Sequence, residues 1–113
     1  MFSKQHRLAK DKDIKGIFAL GRSVFNLFFT VKYAPNKLEI ARFTIVVSTK
    51  VFKKATKRNR LKRILREFIK LHLSKFRAED YIIILKPKAV QTQEQALLQS
   101  FYQLLLESKL LQQ

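Results

Sequence analysis

Hydrophobic residues recur along this chain at two spacings, a helical spacing of about three to four residues and the two-residue alternation of strands. In residues 11–20, Ile14, Ile17 and Phe18 share one helical face, and an aspartate in the first turn can cap it. Gly21 stands where a left-handed C-terminal cap is expected. The pattern therefore predicts a short amphipathic helix that ends at Gly21.

Two β-branched and aromatic stretches follow, from Val24 to Tyr33 and from Ile40 to Ser48, and each alternates between two faces. Because residues 34–37 form a turn signal around Pro35, we expect the two strands to pair as a hairpin. One face is strongly apolar and comprises Phe25, Leu27, Phe29, Val31, Tyr33, Ala41, Phe43, Ile45 and Val47. The opposite face is mixed and comprises Asn26, Phe28, Thr30, Lys32, Arg42, Thr44, Val46 and Ser48. A mixed face of this kind is either simply solvated or a binding surface.

The clearest helical pattern runs from about Thr56 to Lys75, where an apolar stripe lies opposite a basic one. The stripe comprises Leu61, Ile64, Leu65, Phe68, Ile69 and His72. Residues 81–85 are wholly apolar, which predicts a central strand buried on both faces and reached by a helical crossover. A final helix is predicted after Thr92 and Gln95, which fit a capping box, and residues 50–52 are a candidate for one more short strand.

The predicted order is helix, strand, strand, an optional third strand, helix, strand, helix. The fold class is therefore α+β, an α/β sandwich in which helices pack on one face of a small mixed β-sheet. The 113 residues suit a single domain spanning 1–113, and a hydrophobic content of 47% supports a core. Residues 1–10 are polar and are expected to be loosely ordered. They lack the apolar run of a secretory signal, and no stretch approaches the ~18 apolar residues of a membrane span.

The balance of charge narrows the choice of partner. The formal net charge is +16, and self-repulsion at that level favours a charge-neutralising partner. Nucleic acid is favoured over an anionic membrane, because the basic face lies opposite a core-forming stripe rather than an insertion face rich in Trp and Phe. The absence of Cys excludes disulfides, thiolate catalysis and Cys-type zinc sites, and it fits a reducing cytoplasm.

Positive charge is concentrated at the start of the second predicted helix. Between Lys50 and Arg66, nine of seventeen residues are Lys or Arg and none is acidic. They are Lys50, Lys53, Lys54, Lys57, Arg58, Arg60, Lys62, Arg63 and Arg66. Like charges four residues apart destabilise an isolated helix by a few tenths of a kcal/mol per pair, so this row indicates binding of a polyanion rather than a solvated face. The planar guanidinium of Arg suits bidentate contact with phosphate.

Candidate catalytic chemistry is sparse. The two histidines are His6, in the polar N-terminal segment, and His72, which falls on an apolar stripe and is expected to be packed there. No His–carboxylate cluster, Ser–His–Asp set or glycine-rich phosphate loop is visible. We therefore predict no catalytic residue and no metal site in the protein, and an accessory role rather than direct catalysis.

The run from Arg58 to Glu67, RNRLKRILRE, resembles the signature helix of the bacterial RNase P protein subunit. The similarity extends over most of residues 7–105, through the segments around 7–24, 47–55 and 80–84. The chain also departs from the family pattern. Thr49-Lys50 stands where many members carry two lysines, the connector lacks the glycine that some carry, and the chain ends in Leu111-Gln112-Gln113 rather than a basic tail.

The resemblance implies a cytoplasmic, RNA-dependent ribonuclease that removes the 5′ leader from precursor tRNA. In that family the RNA subunit performs the hydrolysis with Mg²⁺, and the protein assists without a cofactor of its own. The implied partners are the RNase P RNA subunit and precursor tRNA, with no membrane and no DNA. The implied fold is ribosomal protein S5 domain 2-like, with a left-handed βαβ crossover, an exception to the usual right-handed rule.

Two sets of site residues follow from the resemblance. The RNA subunit is expected to be bound by Lys50, Lys53, Lys54, Arg58, Asn59, Arg60, Lys62, Arg63 and Arg66. The single-stranded leader is expected in a cleft formed by the mixed sheet face and the first helix, comprising Phe18, Asn26, Phe28, Thr30, Lys32, Arg42, Thr44 and Ser48. Here Phe28 offers stacking, Lys32 and Arg42 offer charge for phosphates, and the polar side chains offer hydrogen bonds. Phe18 either borders the cleft or belongs to the core.

Other classes fit the sequence less completely. A non-catalytic RNA-binding or ribosomal protein of similar fold is the main alternative, because the basic face and the sheet suit it equally well and only the signature separates the two. A binder of double-stranded DNA would need a recognition helix for the major groove, and no helix-turn-helix is visible. A free-standing nuclease is disfavoured by the missing acid–base constellation.

Overall fold

The computed structural model of the chain describes residues 4–113. Its helices are α1 (Asp11–Leu20), α2 (Ala55–Leu71) and α3 (Glu94–Glu107), and its strands are β1 (Arg22–Phe25), β2 (Phe29–Pro35), β3 (Arg42–Val46) and β4 (Glu79–Leu85). Short 3₁₀ turns occupy Lys4–His6, Leu73–Lys75 and Pro87–Gln91. The α+β fold class is confirmed, and so is the predicted order of helices and strands, with the optional third strand present between the first two helices.

The strands form one mixed sheet in the order β1-β2-β4-β3. The central strand β4 is antiparallel to β2 and parallel to β3. Its residues Tyr81, Ile82 and Ile83 are buried, as their continuous apolar run predicts. Because β3 and β4 are parallel neighbours, α2 lies in a βαβ crossover as expected. The hand of this crossover stays a prediction.

The predicted hairpin between residues 24–33 and 40–48 is wrong, because β2 and β3 both pair with β4, on opposite sides of it. The first stretch is instead broken into β1 and β2, which pair with each other. Asn26 makes this break, since its Oδ1 accepts hydrogen bonds from the backbone N–H groups of Phe28 and Phe29, both at 2.9 Å. The additional strand is therefore β1, whereas residues 50–52 form no strand.

Helices cover both faces of the sheet rather than one. On the first face, α2 and α3 enclose the main core, which includes Phe29, Val31, Phe43, Tyr81, Leu61, Leu65 and Phe101. The rings of Phe43 and Tyr81 stack there with their centroids 5.1 Å apart. On the second face, Leu8 of the N-terminal segment and Ile17 of α1 pack on Ile82 of β4 and form a smaller core. The second face is thus only partly covered, and α1 borders the part that stays open.

The N-terminal segment is attached to the edge of the sheet. Leu8 is buried, and its backbone N–H donates to the carbonyl of Phe43 at 2.9 Å. His6 Nδ1 lies 2.7 Å from the carbonyl oxygen of Ala41. Of the segment expected to be loosely ordered, residues 6–8 therefore contact the edge strand β3 and its preceding loop, and residues 1–3 lie outside the described part of the chain.

Gly21 places α1 close to the sheet. Its φ of −77° is ordinary, so the left-handed cap expected from the sequence is wrong. The glycine is required for space, because a Cβ there would lie 2.5 Å from the carbonyl oxygen of Ile17 and 2.9 Å from that of Tyr33. A residue without a side chain therefore lets the end of α1 approach β2 closely.

Two other predicted helix ends also differ. The long helix was expected to continue to Lys75 but ends at Leu71, and residues 73–75 form a 3₁₀ turn. No side-chain cap precedes α3, because the hydroxyl of Thr92 donates to the carbonyl of Lys88 instead of forming the predicted capping box.

Candidate nucleic-acid interface

The register of the strands orders the second face of the sheet into rows. Residues paired directly across a ladder point to the same face. Phe25, Thr30, Ile84 and Val46 are paired in this way and form the outermost row, and Ser23, Lys32, Ile82 and Thr44 form the next. We call the residues of these two rows other than the buried Ile82, together with Phe18, the open face. Alternation in β3 is as predicted, with Ala41, Phe43 and Val47 buried and Thr44 and Val46 turned to this side.

Phe18 and Lys32 meet at the border between α1 and the sheet. Phe18 is 49% exposed, although it lies one residue from the buried Ile17. The ammonium group of Lys32 lies 5.5 Å from the centre of the Phe18 ring, within the range of a cation–π contact. The structure therefore brings together two predicted cleft residues, of which one supplies an accessible aromatic ring and the other a cation. Thr30 lies two residues before Lys32 on the same face.

A second aromatic–cation pair lies on the open face and was not predicted. Phe25 is 69% exposed, and the ammonium group of Lys86 lies 5.4 Å from its ring centre. If residues 24–33 are read as one strand, alternation assigns Phe25 to the core face. The break at Asn26 reverses that assignment, and Phe25 pairs with Thr30 instead. The sequence signal that could have indicated this position is the turn-forming Asn26 that directly follows Phe25.

Two other predicted cleft residues, Asn26 and Phe28, lie in the break itself and not on the open face. Phe28 packs against the main core, on the opposite side from the open face, since it precedes β2 in the bend. Asn26 uses its oxygen for the bend, and its amide donates to the hydroxyl of Ser100 at 2.7 Å and to the carbonyl of Ser100 at 3.2 Å. These contacts fix the tip of the β1–β2 hairpin on α3.

Arg42 lies at the covered end of the second face. Its Nε and Nη2 donate to the two carboxylate oxygens of the buried Asp80 at 2.8 and 2.6 Å, and Nη2 also lies 3.5 Å from Asp13 of α1. Asn36 donates to the same carboxylate at 2.8 Å. The hydrogen bond to Asp80 raises the pKa of Arg42 above its ordinary value, despite the opposing effect of burial. The charge of Arg42 is therefore engaged by two carboxylates.

The basic residues of α2 are gathered on one surface. A depression on this helix is lined by Thr56, Asn59, Arg60, Lys62, Arg63, Arg66 and Glu67. Leu61, Leu65 and Ile69 are buried on the opposite side, so the predicted separation of the apolar and basic stripes is confirmed. Lys50, Lys53 and Lys54 are exposed in the connector that leads to the helix. Ser48 accepts a hydrogen bond from the backbone N–H of Lys50 at 3.1 Å, so it shapes this connector rather than the open face.

Several of these cations already have partners within the chain. Arg58 donates to the carbonyls of Phe52 and Lys53 at 2.7 and 3.1 Å and so braces the connector. Arg60 forms a 2.5 Å ion pair with Glu94 at the start of α3. The Glu94 carboxylate raises the pKa of Arg60.

A cavity of about 390 Å³ joins the basic helix to the sheet. Lys62 and Arg66 line one side of it, Thr44 of β3 lines another, and Arg7 closes it from the N-terminal segment. Thr44 belongs to the second face of the sheet, so the two predicted surfaces adjoin at this point. A polyanion that crosses from one surface to the other would meet three cations here.

Residues 4–113 hold no group of three or more His, Asp or Glu side chains that could bind a metal ion. His72 packs as expected, with its ring 4.3 Å from that of Phe68 and its Nδ1 2.8 Å from the Phe68 carbonyl oxygen. Within the same residues, no helix is long and apolar enough to cross a membrane.

Comparison with known proteins gives a consistent result. The family model described as Ribonuclease P matches residues 2–109. The chain is 37% identical over 94 residues to the ribonuclease P protein component of Chromobacterium violaceum, which covers 83% of this chain and 76% of the relative. It is 35% identical over 103 residues to the same component of an Azoarcus species, covering 91% and 86% of the two chains.

Solved structures show the same likeness in three dimensions. The RNase P protein of Staphylococcus aureus superimposes with a TM-score of 0.89 at 32% identity, covering 95% of this chain and 98% of that one. The RNase P protein of Thermotoga maritima gives a TM-score of 0.79 at 31% identity, covering 88% of this chain and 94% of that one.

Fold and relatives together define the class, a small basic α+β protein subunit of a ribonucleoprotein enzyme. Within that class, the chain belongs to the ribonuclease P protein component family.

Proposed function

We propose that the chain binds the catalytic RNA subunit of ribonuclease P and the 5′ leader of precursor tRNA, and so assists removal of the leader. The observation that carries this proposal is the pairing of two different surfaces that adjoin at Lys62 and Arg66. One is a dense row of cations on α2, and the other is an open sheet face with exposed aromatic rings beside lysines.

The basic surface suits a folded RNA. Asn59, Arg63 and the other side chains of the depression present several donors over a short length of rigid helix. Arginine can contact two phosphate oxygens at once, and a row of such groups follows a phosphate backbone without reading its sequence. We assign this surface, with Lys50, Lys53 and Lys54 of the connector, to the RNA subunit. Arg58 and Arg60 contribute after exchanging their internal partners for phosphates.

The open face suits a single strand. Single-stranded RNA exposes its bases, and proteins bind it by stacking those bases on aromatic rings and neutralising the adjacent phosphates. Phe18 with Lys32 provides both functions at one point, and Thr30 and Thr44 add hydroxyl groups along the same face. We assign this face to the leader. Arg42 acts there as a positioning residue for α1, since Asp80 and Asp13 already bind it.

The hydrolysis itself we assign to the RNA subunit with Mg²⁺. In this scheme the protein neutralises phosphate repulsion and holds the substrate, and it needs no catalytic side chain or metal of its own. Precursor tRNA and the RNA subunit are its two partners, and the cytoplasm, where bacterial tRNA is transcribed, is where it acts.

Reconstitution tests this function. The protein is mixed with a bacterial RNase P RNA and precursor tRNA at physiological Mg²⁺, and cleavage rate and substrate affinity are compared with those of the RNA alone. We expect the protein to increase affinity for leader-bearing precursor more than for mature tRNA. An unchanged rate and affinity would refute the subunit role, and cleavage by the protein without RNA would refute the assignment of chemistry to the RNA.

A further inference from the structure

Phe25 and Lys86 form a second aromatic–cation pair that the family signature does not include. Phe25 lies on the edge strand β1 and is 69% exposed. Lys86 directly follows β4, and its ammonium group donates to the carbonyl of Asn26 at 2.8 Å while lying 5.4 Å from the Phe25 ring centre. The pair thus places a fixed cation beside the Phe25 end of the sheet's outermost row.

The pair is held in place before any ligand arrives. The hairpin tip that carries Phe25 is tied to α3 through the amide of Asn26, and to Lys86 through the carbonyl of the same residue. The backbone N–H of Lys86 also donates to the carbonyl of Phe28 at 2.8 Å. A ring held in this way needs little ordering on binding, which favours affinity.

Its position relative to the first pair is defined by the strand register. Phe25 faces Thr30 across the β1–β2 ladder, and Lys32, which contacts Phe18, lies two residues further along β2. Two residues of a strand span about 7 Å. The strand positions that carry Phe25 and Lys32 therefore lie on one face of the sheet, about 7 Å apart along the strands, and each of the two rings has its own lysine.

We propose that Phe25 and Lys86 form a second stacking subsite for single-stranded RNA, which holds a different leader nucleotide from the one at Phe18 and Lys32. This inference rests on the proposed function of the open face and extends it along the leader. A lone exposed phenylalanine is common on protein surfaces and means little. Here the ring lies beside a cation and is continuous with a face of the same composition, and a chain of alternating bases and phosphates complements both.

The chain's own composition provides a direct test, since it contains no Trp. In a Phe25→Trp variant the new indole is the single tryptophan of the reconstituted complex. We expect its fluorescence to change when precursor tRNA with a long leader binds, and to stay constant when mature tRNA binds. The matched control is Leu38→Trp, at an exposed position beyond the opposite end of β2, whose fluorescence should not distinguish the two ligands. Equal signals of Phe25→Trp with both ligands would overturn the proposal.

A series of leader lengths then separates the two subsites. Affinity of the reconstituted complex is measured for leaders that grow by one nucleotide at a time, with Phe18→Ala, Phe25→Ala and Leu38→Ala compared with the original chain. Loss of an aromatic stacking contact should weaken binding by about fivefold or more. We expect Phe18→Ala and Phe25→Ala to begin to weaken binding at different leader lengths, Leu38→Ala to have no effect, and Phe25→Trp to preserve affinity.

The outcomes distinguish this inference from the function on which it rests. If the original chain binds all leader lengths equally, the leader-binding function of the open face fails. If affinity grows with leader length and Phe18→Ala weakens it, but Phe25→Ala matches the original chain throughout, only the second subsite fails. A common onset for both substitutions would also overturn it, because the rings would then share one nucleotide.

Discussion

Arg42 connects three elements of the fold at one buried point. It lies on β3, donates two hydrogen bonds to Asp80 of β4 and pairs with Asp13 of α1. The Asp80 side chain is only 8% exposed, so its charge is tolerated because Arg42 and Asn36 surround it. The residue that sequence alone assigned to leader phosphates therefore fixes the helix that borders the open face.

Replacing Arg42 should destabilise the fold. In Arg42→Ala the buried carboxylate of Asp80 loses its main partner, and we expect the free energy of unfolding to fall by about 3 kcal/mol. Denaturant unfolding followed by circular dichroism measures this loss. Adding Asp80→Asn should restore part of it, because the uncompensated charge is then removed. Lys32→Ala is the matched control on the same face, and a loss equal to that of Arg42→Ala would contradict this account.

The ion pair between Arg60 and Glu94 should oppose the RNA binding that we propose for α2. Glu94 holds the Arg60 guanidinium at 2.5 Å and places a negative charge beside the basic depression. Exposed ion pairs contribute little to stability, so Arg60 can exchange this partner for a phosphate at small cost. In the part of the chain described by the structure, Glu67 is the other carboxylate at this depression.

We expect Glu94→Gln to strengthen binding of the RNA subunit by up to about fivefold, the amount that release of an exposed pair allows. Filter binding over a range of salt concentrations measures affinity and salt slope together, and the slope should change little, because Arg60 contacts phosphate in both complexes. Glu107→Gln, near the other end of the same helix, is the control for loss of charge. Equal effects of both substitutions would show that net charge matters and the Arg60 pair does not.

α1 contains Gly16 and is followed directly by Gly21, and the space around these two glycines differs. Gly21 closes the helix where a Cβ would collide with two backbone carbonyls, whereas nothing lies within 4 Å of a Cβ at Gly16. Gly16 is exposed in the middle of the helix, where alanine is the better helix former. Since α1 borders the open face, a shift of this helix changes the width of the proposed leader cleft.

The two substitutions to alanine should therefore differ in sign. Gly16→Ala should raise the free energy of unfolding by about 0.5–1 kcal/mol, through helix propensity. Gly21→Ala should lower it by about 1–3 kcal/mol, through overpacking, and should weaken leader binding more than binding of the RNA subunit. Unfolding curves and affinities for long and short leaders test both. A Gly21→Ala variant as stable as the original chain would show that α1 is not held as described.

The elements of this fold differ in how far the sequence predicts them. The helices and β4 follow from long patterns of apolar residues, and the faces of β3 follow from simple alternation. The break between β1 and β2 does not, because it rests on the side chain of Asn26, and residues 24–33 otherwise alternate like one strand. Because the alternation pattern misses this break, it assigns both Phe25 and Phe28 to the wrong face. Arg42 shows the same limit, since its partner Asp80 is 38 residues away along the chain.

Charge is distributed unevenly over the whole molecule. Residues 1–90 contain 23 of the 24 Lys and Arg residues, whereas residues 91–113 contain only Lys109 together with Glu94 and Glu107. The last segment includes α3, whose outward residues are mainly Gln. The part of the molecule formed by residues 1–90, which includes the α2 depression, therefore carries the positive field, and α3 presents a nearly neutral exterior. This asymmetry would orient the protein as it approaches RNA.

The same excess of charge should make the stability of the isolated protein depend on anions. With a net charge of +16, cations such as Lys62 and Arg66 repel one another across the basic surface until an anion binds between them. A ligand that binds only the folded state stabilises it by about 2.7 kcal/mol at a concentration one hundred times its Kd. We therefore expect phosphate or sulfate to raise the melting temperature by several degrees. Calorimetry in phosphate and in chloride of equal ionic strength separates binding from screening.

The position of the bound anion can be tested with one more comparison. If the anion lies between α2 and the sheet, Lys62→Ala should reduce the stabilisation by phosphate, because Lys62 lines both the cavity and the helix depression. Lys109→Ala removes one charge from the nearly neutral end and should leave the phosphate effect unchanged. A melting temperature that responds equally to phosphate and chloride would show that general screening, rather than a bound anion, relieves the repulsion.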